Sequence, residues 1–195
     1  MTFRKQLILD TAERLFNTYG YHDVGIDLII SESNVAKMTL YRNFSSKEDL
    51  IKAILSRKHI VVNNKIENLA TSGLDIKDNI TAIFEYFSQW IHGGEFHGCM
   101  YTRSISEFAH KSQEILHVTN QHKASQLNIL RTMFQKEYNI QQSDQLASIM
   151  LALLDGAILA EHSGYNENRN ALNTARDYFI NSLPRKSPHS GNEDG

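Results

Sequence analysis

The sequence predicts an all-α protein. Its two prolines are Pro184 and Pro188, so residues 1–183 contain no residue that breaks a helix by lacking an N–H. Apolar residues recur at three- and four-residue spacing through almost all of that stretch, which places them on one face of a helix. No segment shows a convincing strand pattern of alternating apolar and polar residues.

The elements follow in order. Leu7, Ile8, Ala12, Leu15, Phe16 and Tyr19 form one stripe, and Gly20 is the expected C-terminal stop. A short helix carries Ile26, Ile29 and Ile30, and a second carries Leu40, Tyr41 and Phe44. A long helix opens at Ser46, an N-cap with Asp49 three residues on, and runs through Leu50, Ile51, Ile54 and Leu55 to about Leu69. After the break at Thr71-Ser72-Gly73, a helix is expected over 76–92, with Ile80, Ile83, Phe84, Phe87, Trp90 and Ile91. His92-Gly93-Gly94 reads as a loop and Gly98 as a turn. Residues 101–110 read as a short helix and 112–137 as a long one. Ser143 is expected to cap an apolar helix from Asp144 to His162, ended by Gly164. The last helix is expected from about Asn168 to Leu183. Residues 184–195, rich in Pro, Ser, Gly, Asn and charge, are expected to be a disordered tail. Residues 1–62 and 63–183 are expected to form two separate domains.

The composition is that of a globular protein, with 41% hydrophobic and 22% charged residues. Uninterrupted apolar runs fall far short of the ~20 residues of a membrane span, and the first residues lack the apolar stretch of a secretory signal. Cys99 is the single cysteine, so a reducing, cytoplasmic setting is expected. The net charge of −2 argues against a chain that merely coats nucleic acid. A sequence-specific reader, however, needs its positive charge only at the contact.

Residues 25–44 supply that concentration. Two short helices flank a tight corner at Ser33-Asn34-Val35. The corner needs a residue that accepts positive φ, and Asn is the best choice after Gly. Val35 fills the angle between the helices. Ile26, Ile29 and Ile30 face inward from the first helix, and Leu40 and Phe44 from the second. The outward face of the second holds Lys37, Met38, Thr39, Arg42 and Asn43. Residues 1–35 carry three bases and five acids, whereas Ala36–Lys47 carries Lys37, Arg42 and Lys47 with no acid. A short helix entering the major groove between phosphates needs this distribution. Thr39 and Asn43 offer donors and acceptors for base edges, and Met38 an apolar contact for a thymine methyl. Lys47 stands at a helix N-terminus, where free N–H groups also favour a phosphate.

The string Ile8-Leu9-x-x-Ala12-x-x-Leu15-Phe16-x-x-x-Gly20-Tyr21, then Ile29, Val35, Thr39-Leu40-Tyr41-x-x-Phe44-x-Ser46-Lys47-Glu48-x-Leu50, resembles the TetR family of bacterial regulators. The resemblance implies a three-helix DNA-binding head with a helix-turn-helix on a helical ligand-binding and dimerisation body. It also implies that Tyr41 and Lys47 contact phosphates, and that Lys37, Met38, Thr39 and Asn43 lie near bases or backbone. The chain departs from the family where a Thr-Ser pair usually opens the first short helix. Val24-Gly25 stand there and supply no hydroxyl. A looser likeness to a subgroup of the family runs through Gly98-Cys99, Glu107, His122–Leu130 and Leu153-Leu154-Asp155-Gly156-Ala157.

The helix from Asp144 is apolar on more than one face, and Ala147, Ala152, Gly156, Ala157 and Ala160 permit close approach of another helix. A homodimer is therefore expected in which Leu146, Ile149, Met150, Leu153 and Ala157 pair with Leu172, Ala175 and Phe179 and their copies in a four-helix interface. Two heads about 34 Å apart would read a palindromic operator. A pocket for an unidentified small-molecule effector is expected in the body. Its candidate lining is Phe84, Phe87, Trp90, Cys99, Met100, Tyr101, Arg103, Phe108, His122 and Leu154. Arg103 and Glu107, four apart, are also placed to pair with each other. His92, His97 and Cys99 lack the spacing of a zinc site, so no metal or cofactor is expected. No phosphate loop or nucleophile–base pattern suggests an enzyme. The expected function is a repressor released from DNA by an effector. The alternative is an activator or a partner-controlled DNA-binding factor without a small ligand.

Overall fold

The computed structural model describes residues 2–72, 75–94, 96–163 and 170–185. Among these residues every regular element is a helix: α1 (Phe3–Tyr19), α2 (Ile26–Ser33), α3 (Lys37–Asn43), α4 (Lys47–Ala70), α5 (Ile76–His92), α6 (Met100–Phe108), α7 (Gln113–Phe134), α8 (Ile140–Ser163) and α9 (Ala171–Asn181). The all-α reading holds. Gly164 and Asn168, expected at the ends of the last two helices, lie outside the described residues, as does the tail beyond Arg185.

The chain forms two compact units. The first contains residues 1–64 and 96–124, and the second residues 65–95 and 125–195. A head ending at residue 62 therefore omits α6 and the first half of α7, which cluster with it.

The core of the first unit follows the helical period. Ile8, Leu9, Ala12, Leu15 and Phe16 of α1 are buried together with Ile29, Leu40, Phe44, Leu50, Ile51, Ile54 and Leu55. Each such large side chain contributes roughly 1.5–3 kcal/mol by leaving water. Met100, Tyr101, Phe108 and Ile115 complete the same cluster from α6 and α7. Buried hydroxyls fix the docking of α6. The Tyr21 hydroxyl donates to the Met100 carbonyl at 3.0 Å, and the Tyr101 hydroxyl to the Leu55 carbonyl at 2.8 Å.

Gly20 ends α1 with φ +88°, a region that costs other residues strain. Ser46 caps α4 as expected, its Oγ accepting the Asp49 N–H at 3.0 Å. In the second unit, Asp75 caps α5 by accepting the Lys77 N–H at 2.6 Å.

The start of α8 differs from expectation. The cap is Asn139, not Ser143. Its Oδ1 accepts the Gln142 N–H at 2.9 Å, and Gln142 Oε1 accepts the Asn139 N–H at 3.4 Å. This reciprocal pair satisfies two otherwise orphaned donors. Ser143 is a buried residue inside the helix, its hydroxyl donating to the Tyr138 carbonyl. By length and composition α8 is apolar enough to cross a membrane. Its buried side chains, among them Leu146, Met150, Leu154 and Ile158, instead form part of the core of the second unit, against α5 and α9.

Candidate nucleic-acid interface

α2 and α3 form the helix-turn-helix. Asn34 sits at φ 51°, ψ 38°, the left-handed conformation the corner requires, and its N–H reaches the Ser31 carbonyl. Ser33 is buried and bonds its hydroxyl back to the Ile29 carbonyl at 2.6 Å, so it finishes α2 without needing water. Val35 packs on the core. The N-terminus of α2 has no side-chain cap, because Gly25 occupies the position and the preceding Val24 is fully buried. The missing hydroxyl is thus a real feature of this head.

α3 is anchored by Leu40 and followed by buried Phe44. This fixes the rotation of the helix and turns Lys37, Met38, Tyr41 and Arg42 to the outside, with Met38 65% exposed. Thr39 and Asn43 are half-buried, and the Asn43 side-chain amide donates to the Thr39 carbonyl at 2.7 Å. Lys37 pairs with Asp27 of α2 at 3.3 Å, and Arg14 of α1 with Glu32 of α2 at 2.8 Å. Both pairs are exposed, where ion pairs are worth little and exchange readily. Lys47 is held differently. Its ammonium donates to the His22 carbonyl at 3.4 Å and lies 6.0 Å from the Phe16 ring centre. Burial holds its pKa below the usual lysine range, opposed by Glu107 and Asp23.

The sequence did not reveal the strap that ties α6 to this head. The Arg103 guanidinium donates to the carbonyls of Phe16 and Asn17, both at 2.8 Å, and to that of His97 at 2.5 Å. The Glu107 carboxylate accepts the N–H groups of Tyr21 at 3.2 Å and His22 at 2.8 Å. The last turn of α1 has no basic residue of its own, so α6 supplies the cation for its orphan carbonyls. Arg103 and Glu107 do not pair with each other as expected; each is engaged with backbone far away in sequence.

The expected ligand-lining residues fall in both units. Cys99, Met100, Tyr101, Arg103, Phe108 and His122 lie in the first, and Phe84, Phe87, Trp90 and Leu154 in the second. Met100, Tyr101 and Phe108 are core residues, and Cys99 packs against that core. Phe84, Phe87 and Leu154 are buried, and Trp90 meets Phe87 edge to face at 6.2 Å. An open surface cleft of about 630 Å³, lined by residues that include Lys52, Glu114 and His117, contains none of the ten.

His122 belongs to a buried polar cluster. Its ring stacks on Tyr101, with centres 3.7 Å apart and planes 9° apart. Its Nδ1 is 3.3 Å from His59 Nδ1, and the Asn63 side-chain amide is also 3.3 Å from that atom. Asn63 Oδ1 is buried without a hydrogen-bond partner. Burial pushes the His122 pKa down to about 3, with help from Lys123 and His59, so the ring is neutral. His59 and Asn63, spaced i, i+4 on α4, are members of this cluster that periodicity alone did not single out. Among the described residues no group of three or more His, Cys, Asp or Glu is placed to hold a metal.

Of the residues expected at a dimer interface, Leu146, Met150, Ala157, Leu172 and Phe179 are already buried within one chain. They are core, because α8 packs on α5 and α9 of its own protomer. Ile149, Leu153 and Ala175 retain exposure. The open face of α8 is Ile149 (50% exposed), Ala152, Gly156 and Leu159 (55% exposed) at alternating three- and four-residue steps. A side chain at Gly156 would meet nothing within 4 Å.

A helix-turn-helix with an anchored, outward-facing second helix is the geometry that lays a short helix in a DNA major groove. Residues 8–54 match the model of the bacterial regulatory proteins of the tetR family. The chain is 26% identical to the HTH-type transcriptional regulator YxaF of Bacillus subtilis over 80% of this chain and 83% of that one. It is 31% identical to the transcriptional activator FasR of Mycolicibacterium smegmatis over 45% of this chain and 40% of FasR. It is 25% identical to the transcriptional repressor NemR of Escherichia coli over 57% of each. Apart from YxaF, these relatives are thus matched over about half their length. The fold is that of the TetR-family regulator SCO4454 from Streptomyces coelicolor, with TM-score 0.81, 23% identity and coverage of 91% of this chain and 95% of that one. A TetR regulator from Legionella pneumophila gives TM-score 0.82, 20% identity and coverage of 94% and 99%. The head of this chain is thus similar to that of the bacterial tetR-family regulators, and its fold is the one those regulators share.

Proposed function

We propose that the protein is a homodimeric, cytoplasmic repressor that holds a palindromic operator through two copies of α3 and lets go when a small effector binds. The observation that carries the DNA reading is the anchoring of α3 by Leu40 and Phe44, which turns its polar face outward. Met38, Thr39, Arg42 and Asn43 are the groups that approach bases and backbone, and Lys37 leaves Asp27 for a phosphate. Tyr41 takes a phosphate from its exposed position. Lys47 reaches one by leaving the His22 carbonyl, regaining hydration as it does so.

The open α8 face supports the dimer, since Ile149, Ala152, Gly156 and Leu159 offer a strip of small and apolar groups that a second copy can cover. The cluster of half-buried His59 with buried Asn63, Tyr101 and His122 supports an effector. It holds an acceptor, Asn63 Oδ1, without a donor, in a unit shared with the reading head. An effector changes operator affinity only by binding one state of the protein better than the other. NemR is a named repressor and FasR a named activator, so the relatives give precedent for both signs.

Selection of bound fragments from genomic DNA tests the reading. An inverted repeat with half-sites one helical turn apart is expected, bound by one dimer. Recovery of a single unrepeated half-site would refute the twofold reading. A thermal-shift screen then seeks the effector. A compound that stabilises the protein yet leaves operator affinity untouched would count against effector release, and activation of a reporter by the unliganded protein against repression.

A further inference from the structure

The cations of the first unit divide sharply. Arg14, Lys37, Lys52, Arg57 and Lys58 have carboxylate partners. Lys47 and Arg103 hold carbonyls, Lys111 lies 3.1 Å from the His22 ring nitrogen, and Lys123 acts on neighbouring His122. Arg4, Lys5 and Arg42 have neither an acid nor a carbonyl partner among the described residues. Lys5 lies beside the end of the helix that carries Arg42. The Lys5 ammonium lies 5.4 Å from the centre of the Phe44 ring, Phe44 is the C-cap of α3, and Arg42 is in the last turn of α3. Arg4 precedes Lys5 and is exposed. The nearest acid along α1 is Asp10, which is already engaged by Gln6 at 2.8 Å and Arg57 at 2.6 Å.

We propose that Arg4 and Lys5 form a second DNA contact with Arg42, a cationic edge at the C-terminal end of α3 that takes backbone phosphates flanking the groove. Phosphate contacts fix register without reading sequence. An uncompensated cation cluster, in a unit whose other exposed cations are largely neutralised, is where such contacts gain most. Arg42 was singled out from the sequence because it lies on α3. Arg4 and Lys5 were not, because the acids of residues 1–35 outnumber the bases in the linear count. Folding separates them, since Asp10, Glu13, Asp27 and Glu32 are all held by other cations.

The proposal rests on α3 entering the groove, and the test separates the two. Binding of the full-length protein to its selected operator and to a random duplex of equal length is measured against salt. Arg4→Gln and Lys5→Gln are each expected to lower the slope of log K against log salt by about 0.9 per protomer, and both duplexes are expected to weaken by the same factor. Lys5→Arg is expected to keep the wild-type slope. Lys77→Gln on the second unit controls for net charge and is expected to leave the slope unchanged. Because Arg4 is exposed, Arg4→Gln keeps the test open even if Lys5→Gln lowers the melting temperature. Unchanged slopes in both glutamine variants, or an equal fall in Lys77→Gln, would overturn the second contact. If the wild type binds no duplex, the failure lies with the underlying DNA reading.

Discussion

At the scale of single residues, Asn34 and His122 show how one side chain sets a local requirement. Asn34 is in the left-handed region at φ 51°. A β-branched side chain there clashes with its own carbonyl, so Asn34→Val is expected to cost about 1–2 kcal/mol in urea melts, whereas Asn34→Gly stays close to wild type. Equal stability of the two variants would show that the corner has relaxed. His122 is neutral because charging it requires desolvation beside Lys123 and His59, with Tyr101 stacked on one face. Its pKa falls from the ordinary value near 6.5 in the unfolded chain to about 3 in the fold. The unfolded chain therefore binds the extra proton first, and stability contributed by the neutral ring is complete above pH 6.5 and falls as pH drops toward 3. The decline attributable to this ring is about 1.4 kcal/mol per pH unit inside that window. His122→Phe keeps the stack on Tyr101 and is expected to remove close to one proton from the pH dependence of unfolding. Asn34 was readable from the sequence because turn chemistry is local. The state of His122 was not, because its cause is burial among residues distant in the chain.

At the scale of elements, the helices were legible and some of their ends were not. The stretch 76–92 coincides with α5, and Gly20 and Ser46 end and begin helices as expected. The start of α8 was misplaced because Ser143 followed by Asp144 imitates a helix start. Asn139 and Gln142 form a complete reciprocal cap one turn earlier. The role of α6 was hidden for another reason. Arg103 and Glu107 are correctly spaced for an intrahelical pair, but α1 ends without a cation of its own and the turn after Gly20 presents N–H groups that Glu107 accepts. Those backbone groups bind the two side chains more strongly than an exposed ion pair would. Glu107→Ala strands the Tyr21 and His22 N–H groups and is expected to cost about 1–3 kcal/mol in thermal or urea unfolding. A loss near zero would mean that water replaces the carboxylate freely.

At the scale of the whole molecule, the decisive distinction is between apolar residues buried within one chain and those left exposed, which the proposed dimer would cover. Leu146, Met150, Leu172 and Phe179 belong to the first kind, Ile149 and Leu159 to the second. Ile149→Glu combined with Leu159→Glu is therefore expected to yield a folded monomer by sedimentation, with operator affinity reduced as the two heads lose their linkage. A buried charge from Leu146→Glu is expected instead to unfold the second unit, visible as lost helical circular dichroism. A dimer surviving the double exchange would move the interface elsewhere.

The amino-acid sequence by itself determined the helical class, the corner at Asn34, the outward face of α3 and the likeness of residues 8–54 to the tetR-family model. Each depends on periodicity, turn chemistry or a string of residues close together in the chain. The tertiary structure alone decided which apolar positions of α8 are core, where Arg103 and Glu107 are engaged, and which cations remain uncompensated. The physical reason is that burial and charge pairing depend on distances in space. Helices packed side by side bring Asp10 to Arg57 and Glu107 to Tyr21, and so leave Arg4, Lys5 and Arg42 without an acid partner among the described residues.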